Sequence, residues 1–83
     1  MNINESLLHQ IAARFIIGHD INVNIKGSEI QLESLHDLLN VSKDLLQELN
    51  KEEYDSDVII ETIEKKKKLT KKFQNVSGIK WKL

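Results

Sequence analysis

The chain has 83 residues, 40% of them hydrophobic, and a formal net charge of −1. That is one small domain over residues 1–83 with a single core, too apolar for a disordered chain, and without an apolar run near the roughly 18 residues of a membrane span. It has no cysteine, which excludes disulfides and thiolate metal sites and fits a reducing compartment. No proline and only three glycines favour a mostly helical fold. The polar, acidic opening Met1–Glu5 is unlike a secretory signal. The expectation is a soluble, cytoplasmic protein.

Residues 5 to 17 predict a first helix. Leu7, Leu8, Ile11, Ala12, Phe15 and Ile16 share one face, Asn4 or Ser6 suits the N-cap, and Gly18 suits a left-handed terminator. Residues 20 to 32 change period. Ile21, Val23 and Ile25 alternate with polar residues, Gly27-Ser28 follows, and Ile30 and Leu32 alternate again. Two alternating runs about a glycine predict a β-hairpin.

Residues 34 to 50 predict the second helix. Leu35, Leu38, Ser42, Leu45 and Leu49 step by three and four, while Leu39 and Leu46 widen the stripe. After a short polar link, Asp55 or Ser56 caps a third helix that runs to about Val76 and ends at Gly78. Ile59, Ile60 and Ile63 form its first apolar patch, and Leu69, Phe73 and Val76 its second. Residues 78 to 83 alternate again, with Ile79, Trp81 and Leu83 on one side, and could add a short C-terminal strand to the hairpin. The expected fold is therefore α+β and mostly helical, ordered α-β-β-α-α, with an antiparallel helical hairpin.

The charge is segregated. Residues 1 to 64 hold 13 acids against Arg14, Lys26, Lys43 and Lys51, a balance of −9. Residues 65 to 83 hold eight lysines and no acid, a balance of +8. An antiparallel second helix would bring Glu33 and Asp37 near Lys68, Lys71 and Lys72, and Asp44 and Glu48 near Lys65 or Lys66. Within the third helix, Glu61 and Lys65, and Glu64 and Lys68, have the spacing of favourable pairs. The same complementarity between copies would favour a homo-oligomer.

Catalytic chemistry finds no footing. His9, His19 and His36 lack metal-ligand spacing with one another and read as polar-face residues; no P-loop, HExxH or G-x-S-x-G motif occurs. No catalytic, cofactor-binding or metal residue is named. A nucleic-acid reading rests on the lysine-rich segment and on Trp81 as a stacking residue, but Asp55, Asp57, Glu61 and Glu64 at the start of the third helix would repel phosphate. The segments SLLHQIAARFIIG, ESLHDLLNVSKDLLQELN and GIKWKL give the chain a general character that resembles the lysis-inhibition accessory proteins of T-even-type bacteriophages. That resemblance implies a soluble partner of a holin, acting by protein contact.

The function expected is that of a small non-enzymatic regulator binding another protein, with the cytoplasmic part of a holin as the partner the resemblance implies. The alternative is a nucleic-acid-binding regulator. The candidate contact residues are Leu39, Leu46, Lys65, Lys68, Lys72, Lys80, Trp81 and Lys82.

Overall fold

A computed structural model describes residues 4–20 and 25–83. They form three helices: α1 (Glu5–Ile16), α2 (Glu29–Leu49) and α3 (Ser56–Ser77). Among the described residues there is no strand, so the α+β expectation is corrected to an all-helical fold.

The hairpin fails because its second run is the first turn of α2. Ser28-Glu29-Ile30-Gln31 is a capping box: the Gln31 N–H donates to Ser28 Oγ (3.3 Å), and the Ser28 N–H donates to Gln31 Oε1 (3.0 Å). Two donors at the helix start are satisfied reciprocally, an arrangement that a strand would forgo. Ile30 and Leu32 remain 52% and 36% exposed, so their alternation marked no buried face. Of the first run, Ile25 packs on the core, while Ile21 and Val23 lie outside the described residues.

The other helix ends follow their sequence signals. Asn4 accepts the N–H groups of Ser6 (2.9 Å) and Leu7 (3.3 Å), and Asp55 accepts those of Asp57 (2.9 Å) and Val58 (3.4 Å). Gly18 and Gly78 carry the positive φ angles, 97° and 73°, that follow α1 and close α3.

α2 and α3 pack as an antiparallel hairpin, with α1 against part of α2. Helices of 21 and 22 residues span roughly 32 Å at 1.5 Å per residue. They set the long axis of a body measuring 40 × 25 × 19 Å. Gln31 fixes the register: its Nε2 donates 2.8 Å to the Val76 carbonyl, so the residue that caps the start of α2 also satisfies the end of α3. At the opposite end, the Glu48 carboxylate accepts the Lys51 ammonium (2.7 Å) and the Asp55 N–H (3.1 Å). It thereby folds the link between the helices. Both bonds hold the Glu48 carboxyl below the ordinary carboxylate range, the Lys51 hydrogen bond contributing most.

The core joins Leu8 and Ala12 of α1, Leu35, Leu38 and Val41 of α2, Phe73 of α3, and Trp81 beyond it. The C-terminal segment is no strand. It runs across the helices as an extended tail whose N–H groups find side chains in place of a ladder. Ile79 donates to Ser77 Oγ (3.1 Å), Trp81 to Gln74 Oε1 (2.9 Å) and Lys82 to His9 Nε2 (3.1 Å). Its alternation survives as burial, with Ile79 and Trp81 turned inward and Lys80 and Lys82 outward.

Candidate protein-binding cleft

The expected leucine seam splits along α2. Its N-terminal half is covered, but α1 is only 12 residues long, and beyond Ser42 the seam emerges from the core. Leu45 and Leu46 are half-buried and Leu49 is 50% exposed. These leucines floor an open cleft of about 340 Å³. One wall is the C-terminal end of α1, through Ala13, Ile16 and Ile17; the other is α3, through Lys66; Leu83 of the tail also lines it. Ser42 also lines it, and its buried hydroxyl has no hydrogen-bond partner among the described residues.

A second hollow, of about 520 Å³, shares Leu45 and Lys66 with the first. Ile63, Lys67, Thr70 and Lys71 surround the rest of it. Lys66 is half-buried, with an aliphatic stem beside apolar neighbours, as lysines at apolar surfaces commonly sit. The combined surface is an apolar trough with one basic flank.

The tail is the structural element nearest in chemistry to a latch. His9 Nδ1 lies 2.7 Å from the Glu5 carbonyl, which can only accept; Nε2 faces the Lys82 N–H, which can only donate. The ring is therefore the neutral Nδ1–H tautomer. Trp81 stands 5.3 Å from the His9 ring and meets Phe73 edge-on at 5.6 Å. His9, expected on a polar face, is half-buried and anchors the tail. Lys82 also places its Nζ 4.0 Å from Glu5 Oε1.

The expected contact residues are dispersed. Leu46 lines the cleft. Leu39 packs on the core. Trp81, at 7% exposure, is part of the core and presents no face to a partner. Lys65, Lys68, Lys72, Lys80 and Lys82 are exposed. The internal ion pairs expected of the lysine cluster do not close. Among the described residues the close pairs are His36–Asp37, Lys51–Glu48 and Lys82–Glu5. Asp37, Asp44 and Lys65 border one shallow hollow without pairing. The residues that sequence reasoning missed are Ile16, Ile17, Lys66 and Leu83. The available signal was the mismatch in length between a first helix expected over residues 5 to 17 and a longer second one expected over residues 34 to 50.

No family model, curated protein or solved structure matches the chain. The resemblance to phage lysis-inhibition proteins thus receives no support, and with it the phage and holin assignments are withdrawn. No helix among the described residues is long and apolar enough to cross a membrane.

Proposed function

We propose that the chain is a non-enzymatic regulator that acts by binding another protein, and that the cleft between α1 and α3 receives an amphipathic helix of that partner. The observation that carries this reading is the seam of α2 emerging from the core. Leu45, Leu46 and Leu49 continue the stripe that α1 and α3 bury earlier, and the described residues leave the first two half-buried and the third 50% exposed. A helix with its apolar side on these leucines would complete the packing begun by α1. Lys66, Lys67 and Lys71 on the α3 flank select a partner helix with acidic residues on that side.

The burial of Trp81 favours this reading over nucleic-acid binding, because the aromatic ring that would stack on a base is already packed against Phe73 and His9. The acids of α3 act in the same direction. The test is site-specific photocrosslinking in the source cell, with a crosslinking side chain at Leu46 and, as a control, at the exposed Asn75 of α3. A discrete protein adduct from Leu46, absent from Asn75, supports the proposal. No adduct, or the same adducts from both positions, contradicts it.

A further inference from the structure

The outward side of α3 opposes the side that carries buried Phe73. At 3.6 residues per turn, Asp57, Glu61, Glu64, Lys65, Lys68 and Lys72 fall within an arc of about 100° centred on that outward side, with Lys65 at its edge towards α2, and all six are exposed. The acids occupy the N-terminal half of the stripe and the lysines the C-terminal half. None of these six residues takes part in the close ion pairs found among the described residues.

We infer that this face binds a second copy of the chain, the two α3 helices running antiparallel about a two-fold axis. With the axis passing between Glu64 and Lys65, Asp57 lies opposite the second copy's Lys72, Glu61 opposite its Lys68 and Glu64 opposite its Lys65. The symmetry repeats each pairing. A parallel arrangement would set lysine against lysine and acid against acid, so the charge order selects the antiparallel one. Ile60, 56% exposed, borders the stripe beside Glu64 and brings apolar area to the contact. The net charge of −1 leaves no long-range repulsion between copies. A polyanion is a poor occupant, since Asp57, Glu61 and Glu64 share the face with the lysines. None of the six charged residues lines the apolar cleft, which stays open in the dimer.

A seam of exposed charges gives a weak and salt-labile association. The test is sedimentation of the full chain at about 50 mM and about 500 mM salt, where the screening length falls from above 10 Å towards 4 Å. The wild type is expected to dimerise at low salt, with the apparent Kd rising at least about tenfold at high salt. Glu61→Lys alone and Lys68→Glu alone each weaken the dimer, while the double variant, in which each reversed residue again faces its opposite, restores it. The positions are exposed, so circular dichroism should show unchanged helix content in all three. A wild type that stays monomeric at low salt overturns the inference. So does dimerisation unaffected by either single substitution, or a double variant no better than the singles. These outcomes are independent of the Leu46 adduct, which reports on the cleft alone.

Discussion

Replacing Trp81 by alanine separates two roles for the C-terminal tail. Were Trp81 an exposed contact for a partner, its loss would fall within the ±0.5 kcal/mol or so of ordinary surface substitutions. The structure instead leaves Trp81 only 7% exposed, edge-on to Phe73 at 5.6 Å and beside His9 at 5.3 Å. An indole of this size buries roughly 200 Å², an upper bound of about 5 kcal/mol at 25 cal/mol per Å². Measured losses for buried aromatics truncated to alanine are about 3–5 kcal/mol. Partial collapse of the surroundings into the cavity places Trp81→Ala at the lower end of that range, about 3 kcal/mol. For 83 residues, total stability is roughly 4–12 kcal/mol, so the variant should have lost a large part of it. Trp81→Phe should recover most of the loss, since the buried Trp81 Nε1 has no hydrogen-bond partner among the described residues. Urea unfolding followed by far-ultraviolet circular dichroism measures both variants. Acrylamide quenching of the chain's one tryptophan provides a second view of the native state. A loss under about 0.5 kcal/mol, or quenching as fast as for free tryptophan, refutes the core role.

Gln31 should be more than a capping residue. Gln31→Ala is expected to cost about 1–2 kcal/mol, and Gln31→Glu, though well suited to a capping box, should be no better, because a carboxylate cannot donate to the Val76 carbonyl. Thermal melts in which Gln31→Glu matches the wild type would refute the tie between the helices. Glu48→Gln should be less stable than the wild type at neutral pH. The Glu48 carboxyl is held below its ordinary value of 4.5 by Lys51 and the Asp55 N–H. The stability this provides is complete above the ordinary value and is lost as pH falls through the lowered one. The difference between wild type and variant should shrink below about pH 4.5; a difference constant across that range refutes the linkage.

The helix ends were legible in the sequence because capping is local: Asn4, Asp55, Gly18 and Gly78 act on backbone within a turn of themselves. The hairpin was misjudged because two local signals competed over residues 28 to 32. The alternation of Ile30 and Leu32 suggests a strand, whereas the Ser28–Gln31 box starts a helix. In the tail, alternation matches the inward turn of Ile79 and Trp81, whereas Leu83 is 39% exposed. The alternation did not report what satisfies the backbone, since Gln74 and His9 reach it only through the tertiary fold. The leucine stripe had the right period but no end. Where it leaves the core depends on the length of α1 and on its placement against α2, and neither is written in α2 itself. The lysine cluster had the right neighbours in outline, as Asp37 and Asp44 share a hollow with Lys65. Long side chains at a surface nevertheless gain too little from pairing to be drawn together.

The exposed end of the α2 seam is the proposed recognition surface. The most direct measurement is the yield of the Leu46 photocrosslink in a Leu49→Asp background. Leu49 is 50% exposed, so the substitution should leave folding intact while placing a charge on the apolar floor of the cleft. The predicted result is an adduct lost on substitution, with unchanged circular dichroism. An adduct formed equally well with Leu49→Asp would contradict the cleft as the site of binding.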